Sequence, residues 1–239
     1  MIEKLTDMQC LSDLPDSAAA ARIKAVAAAY GDGAFVYCQR MNGGITAVMG
    51  GMSPAFLSVC LLKEADIPEL VSFFRMFGTE VFCGEADAAD LGSENARFDE
   101  LMLYSGSFSL PQPSHGKIYD LYAALQKGSD GDIELPKQDL FYTDMCIRYN
   151  HGAAEYALLP DAAAVCGFMT DKVSLITGVA VDCGSRRKGC GRAALLSLIA
   201  AIRLKYPDTK IYAAAHISAV GFYKKCGFKS SGRVALLKY

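Results

Sequence analysis

The spacing of apolar positions changes period several times along the chain, and each change marks an element. From Ser17 to Tyr30 apolar residues recur at helical intervals, and the run stops at Gly31-Asp32-Gly33, which predicts a helix with a glycine-rich end. Three β-rich runs follow, Ala34 to Met41, Ile45 to Met49 and Ala55 to Leu62, separated by Asn42-Gly43-Gly44 and by Gly50-Gly51. The first break predicts a tight hairpin. Ile67, Leu70, Val71, Phe74 and Phe77 then form one helical stripe within Ala65 to Phe77, and Glu80 to Cys83 reads as a short strand.

The pattern lapses at Ser109-Leu110-Pro111-Gln112-Pro113-Ser114-His115-Gly116, where two prolines and a glycine resist both helix and ladder pairing. This segment reads as a linker. Beyond it Ile118 to Leu125 is helical and a polar stretch runs from Gly128 to Pro136. Strands are predicted at Ala154 to Leu159, Ala163 to Met169 and Val173 to Asp182, a helix from about Gly191 to Leu204, a strand at Lys210 to Ala215 and a helix at Ser218 to Lys225. Each half thus runs helix, three strands, helix, strand. The succession predicts an α/β chain with an internal duplication, divided into residues 1–110 and 111–239.

Composition narrows the class. With 52% hydrophobic and 21% charged residues and a formal net charge of -2, the chain reads as a globular protein without a general attraction to nucleic acid or anionic lipid. No run approaches the ~18 apolar residues that a membrane span needs. The nine cysteines include no CxxC pair and only three histidines accompany them, so free thiols in a reducing cytoplasm are expected, without a metal site.

The two halves differ where the third strand meets the next helix. The first has Leu62-Lys63-Glu64-Ala65-Asp66, whereas the second has Arg186-Arg187-Lys188-Gly189-Cys190-Gly191-Arg192 leading into an apolar helix. At a helix N-terminus backbone N–H groups and the macrodipole favour an anion such as a pyrophosphate. Glycines at 189 and 191 let such a group approach the main chain. The stretch matches neither the Gly-Lys-Ser/Thr phosphate loop nor GxGxxG, which disfavours nucleotide triphosphatases and dehydrogenases. A solvated surface turn is the plain alternative.

Val179-Ala180-Val181 followed by Arg186-x-x-Gly189-x-Gly191 resembles the coenzyme A signature of the GNAT acetyltransferases. A second stretch, Ala219 to Phe228, resembles that family's late helix, in which alanine precedes Phe-Tyr and Gly-Phe closes the turn. The resemblance implies two tandem GNAT-like domains, each a mixed, mostly antiparallel sheet flanked by helices, the first a degenerate copy. It implies that Val179, Ala180 and Val181 contact the pantetheine arm and that Arg186, Arg187, Lys188, Gly189, Cys190, Gly191 and Arg192 cradle the pyrophosphate of acetyl-CoA. His216 stands where the family often has asparagine, and either binds the pantetheine or caps the helix.

By the same resemblance Tyr223 lies beside the coenzyme sulfur and protonates the departing thiolate, while the Val181 N–H polarises the thioester carbonyl. A plain packing role is the alternative for Tyr223. Transfer to an amine also needs a proton acceptor, for which Glu155 and Asp144 are the candidates. Phe141 to Met145 is expected to border the acceptor. The implied function is direct acetyl transfer to a primary amine of a small molecule or peptide; the alternative is a non-catalytic acyl-CoA sensor.

Overall fold

The computed structural model describes residues 1–92, 95–107, 109–128 and 135–239. In the first half Ile2–Lys4 (β1), Ala18–Tyr30 (α1), Phe35–Met41 (β2), Gly44–Ser53 (β3), Phe56–Leu61 (β4), Ile67–Phe77 (α2), Glu80–Gly84 (β5), Glu85–Leu91 (α3) and Arg97–Tyr104 (β6) follow one another. The second half supplies Ile118–Gly128 (α4), Gln138–Asn150 (α5), Glu155–Leu159 (β7), Ala162–Met169 (β8), Val173–Val181 (β9), Cys190–Lys205 (α6), Lys210–Ala215 (β10), Val220–Lys225 (α7) and Phe228–Lys238 (β11). Most of the polar stretch from Gly128 to Pro136 lies outside the described residues.

Local chemistry sets several of these boundaries. Ser17 caps α1 by accepting from the Ala20 N–H, and Gly31 ends it at φ 52°. Asn42 and Gly43, at φ 50° and 81°, make the two-residue turn that joins β2 to β3 with Met41 opposite Gly44. Gly50 and Gly51, expected as a break, instead lie inside β3, which continues to Ser53. Their role is close packing. A Cβ on Gly50 would stand 2.9 Å from the Ile23 side chain of α1, and one on Gly51 would stand 2.2 Å from the Phe56 carbonyl oxygen on β4.

All described strands join one 11-stranded sheet in the order β1-β2-β3-β4-β5-β11-β6-β10-β9-β8-β7. Neighbours are antiparallel except β4 with β5 and β9 with β10, which are parallel and linked through α2 and α6. Apart from β1, the order is symmetric about the β11–β6 pair. Each half contributes an antiparallel meander and a parallel fourth strand, and then sends its last strand into the other half. Thus β6 pairs with β10, β11 pairs with β5, and the two exchanged strands pair with each other. The chain divides between Tyr104 and Ile118, but the hydrogen-bonded sheet does not.

Helix α1 binds the halves on one face. Ile23 and Val26 are buried against Val48 and Cys60 of the first half and Leu175 of the second. Its alanine-rich surface lets it sit close to the strands. Helices α4 and α5 share a core with β7, β8 and β9, and α6 packs with Ile176 and Ile211 in another. Phe141 to Met145 lies on α5, and its Phe141 and Met145 are buried in that core instead of lining an open pocket. The proline-rich linker is ordered across α6, where the Ser114 N–H donates to Ser197 Oγ at 2.9 Å. No described helix is long and apolar enough to cross a membrane.

Candidate functional site

The parallel pair β9 and β10 comes apart halfway. Pairing runs from Val173–Lys210 to Ile176–Ala213, after which the two strands no longer pair with each other, β9 continuing to Val181 against β8 and β10 to Ala215 against β6. On the other side of β9 the Asp182 N–H donates to the Asp161 carbonyl at 2.9 Å. Because antiparallel partners alternate between bonded and non-bonded pairs, the polar backbone groups of Val179 and Val181 therefore point into the opening between β9 and β10.

The loop after β9 turns through Arg187 at φ 62° and Gly189 at φ 88°, and Gly189 is the N-cap residue of α6. No side chain caps this helix. The first turn of a helix supplies N–H groups that have no intrahelical acceptor. The first turn of α6 lies beside the end of β9, where Gly191 packs against Val181. The two glycines have different reasons. A Cβ on Gly189 would meet nothing within 4 Å, so its need is the left-handed φ; a Cβ on Gly191 would stand 2.9 Å from Val181 Cγ2, so its need is room for α6 against β9.

Among the basic residues of the loop, two reach back to main-chain carbonyls. Arg186 donates through Nε to the Val181 carbonyl at 3.3 Å and through Nη2 to the Gly128 carbonyl at 3.0 Å, and Lys188 donates to Gly184 at 2.7 Å. Arg187 and Arg192 are exposed on either side of Gly189. The end of α4 docks here too, with Lys127 paired to Asp182 at 2.5 Å, which holds the Asp182 carboxyl below its usual range. Gly128 fits so closely that a Cβ would stand 2.7 Å from the Val181 nitrogen. Helix α4 thus covers the Val181 N–H expected to polarise a carbonyl; Val179, two residues back, presents the equivalent N–H deeper in the opening.

A cleft of about 1000 Å³ opens at the parted strands. Its walls include Ile176, Thr177 and Ala214 on β9 and β10, His216 after β10, and Arg22, Phe82 and Asp99 from the first half. His216 lines this cleft and also caps the short turn before α7, where its Nδ1 lies 2.9 Å from Ser218 Oγ. Of the two roles open to it in the sequence, the cap is the one these contacts show.

Tyr223 is 6% exposed and packs edge-on against Phe222 and Phe228. Burial raises its proton affinity well above that of a free phenol. The structure does not bring Glu155 to the cleft. Glu155 sits on the edge strand β7, two strands from β9, where Oε1 lies 3.1 Å from His115 Nε2 and accepts from the Tyr156 N–H. Asp144 is engaged on α5 by Arg148 and by the Tyr30 hydroxyl at 2.5 Å.

The first half has the same strand opening without a cradle. Strands β4 and β5 pair only from Phe56–Glu80 to Ser58–Phe82 and then separate. Into this gap α3 delivers Asp87, whose carboxylate accepts backbone hydrogen bonds from Leu61 and Gly84. The start of α2 is closed by Asp66, which accepts from the Glu69 N–H and whose own backbone is held by the buried Gln39 amide. Two carboxylates thus stand where an anionic ligand would have to enter. Asp87 carries no sequence signal, because its position opposite Leu61 depends on the tertiary fold.

Residues 136–235 match the family model described as an acetyltransferase (GNAT) domain. Among solved structures, a GNAT-family acetyltransferase from Colwellia psychrerythraea is similar over 100% of this chain and 99% of its own, at 14% identity and TM-score 0.58. A GCN5-related N-acetyltransferase from Kribbella flavida is similar over 84% and 89%, at 13% identity and TM-score 0.56. A tandem GNAT protein from the clavulanic acid biosynthesis pathway covers 86% of this chain and 82% of its own, at 11% identity and TM-score 0.51. At these identities the likeness is one of fold. No curated protein matches the sequence.

Proposed function

Because residues 136–235 match the GNAT acetyltransferase domain model, we propose that this chain binds acetyl-coenzyme A at the junction of β9 with α6 and transfers the acetyl group directly to a primary amine. The observation that carries the reading is the helix α6 N-terminus, uncapped by any side chain, beside strands that part after Ile176. The pyrophosphate takes the first-turn amides of α6, with Arg187 and Arg192 adding charge at the rim. The pantetheine arm runs into the strand opening, where Val179 offers a backbone N–H to the thioester carbonyl, and His216 lies along its path. The acceptor enters the cleft between the halves.

In this reading Tyr223, on the helix that follows His216, gives its proton to the departing thiolate. The phenol's raised proton affinity keeps it in the donor form, though it makes the proton transfer less favourable.

Calorimetric titration with coenzyme A tests the cradle. One site per chain is expected, since Asp87 and Asp66 occupy the corresponding places in the first half. Gly189→Glu places a carboxylate at the anion site and should abolish binding, whereas Gly189→Asn, which tolerates a left-handed φ, should retain much of it. Unchanged affinity in a folded Gly189→Glu protein would remove the pyrophosphate from this loop.

A further inference from the structure

The cleft contains a cation that no acid among the described residues neutralises. Arg22 enters it from α1, with Nε donating to the buried Ser58 hydroxyl at 2.8 Å and the guanidinium carbon 4.5 Å from the Phe82 ring centre and 4.2 Å from that of Phe168. Among the described residues no carboxylate lies within salt-bridge distance of it. Burial and the neighbouring Arg148 both disfavour its charge, yet a guanidinium remains a cation near neutral pH. The ring faces supply part of the missing stabilisation. In the same cleft Asp99 on β6 is paired through Oδ2 with Arg97 at 3.4 Å, while its Oδ1 is buried without a hydrogen-bond partner among the described residues. Arg97 and Asp99 balance each other, which leaves the cleft one positive charge in excess among the described residues.

We propose that the acceptor is a small amine that also carries a carboxylate, with the carboxylate held by Arg22 and the amine received by the Asp99 carboxylate. This deepens the acyl-transfer reading and rests on it. Ser58 fixes the Nε edge of the guanidinium, so the remaining donors suit one planar monoanion. A dianion would exceed the single unbalanced charge. The acceptor arrives as an ammonium. Asp99 takes one proton and passes it to solvent, the neutral nitrogen attacks the thioester carbon, and the C–S bond breaks as the C–N bond is completed. The second proton lost by nitrogen replaces the one that Tyr223 gives to the thiolate, so the products are the amide, free coenzyme A and one proton.

The test uses the whole chain with acetyl-coenzyme A and amino acids, each beside its carboxamide, in a thiol-release assay. The acids should be preferred, and Arg22→Met should lower kcat/KM for them about 10- to 100-fold through KM while leaving the carboxamides nearly unchanged. Arg22→Lys should keep part of the preference, and Asp99→Asn should slow both series. Short carboxylates without an amine should compete with the acids in the parent protein, a measurement that stands even if an Arg22 variant fails to fold. Coenzyme binding combined with transfer that ignores the carboxylate, or with no carboxylate binding in titration of the coenzyme-loaded protein, would overturn this inference and leave the cradle intact. Absence of coenzyme binding would overturn both.

Discussion

Tyr223 shows how a residue identified by its sequence neighbourhood acquires its chemistry from packing. Its place after Ala219 and before Gly227-Phe228 is a local pattern, but the Phe222 and Phe228 rings and the loss of solvent make it a very weak acid. Tyr223→Phe keeps these ring contacts and removes only the hydroxyl. We expect unchanged coenzyme affinity and a kcat lower by about 10²–10⁴-fold, with no decline in the parent profile assignable to phenol ionisation below the strongly alkaline range. A variant with parental kcat would give Tyr223 back to the aromatic cluster. The basic loop was legible as a charged feature, but its division was not: Arg186 ties β9 to α4 through carbonyls, and that assignment depends on where Gly128 ends.

At the scale of elements, the same strand opening is used in two ways. In the second half it leads to an uncapped helix; in the first, α3 fills it with Asp87. Burial raises the Asp87 carboxyl from 3.8 to about 6, despite the backbone hydrogen bonds from Leu61 and Gly84 that favour the anion. Its folded pKa therefore exceeds its unfolded one. The stability this group contributes is complete below about pH 4 and is lost as the pH rises through about 6. Asp87→Asn should accordingly stabilise the fold at pH 8 by on the order of 1 kcal/mol once solvent access to the site is discounted, read as a higher Tm. The gain should shrink on acidification and vanish near pH 4. A stabilisation independent of pH would show that Asp87 ionises freely in the native protein.

At the scale of the whole molecule, strand exchange makes the halves interdependent. A chain of residues 111–239 alone would lose both neighbours of β11 and the β6 partner of β10. Exposed ladder edges and the uncovered face beneath α1 would remain. We expect this fragment to lack a cooperative thermal transition, and to regain one when residues 1–110 are supplied in the same preparation. A fragment that unfolds cooperatively and binds coenzyme A alone would show that exchange is dispensable. The location of the cleft has the same origin, since Arg22 and Asp99 belong to the first half while the parted strands β9 and β10 belong to the second.

The sequence by itself determined the features that depend on near neighbours: the helical and strand periods, the Asn42-Gly43 turn, the repeated order of elements and the glycine loop before α6. It also carried the family resemblance in residues that follow one another closely. It did not determine that β6 and β11 change places, because their pairing joins positions far apart in the chain and the hydrophobic period of a strand does not name its partner. Gly50 and Gly51 likewise read as a break until the positions of Ile23 and Phe56 explained them. Only the tertiary structure set Glu155 away from the cleft and brought Arg22 and Asp99 into it, because burial and charge balance arise from every element that meets there.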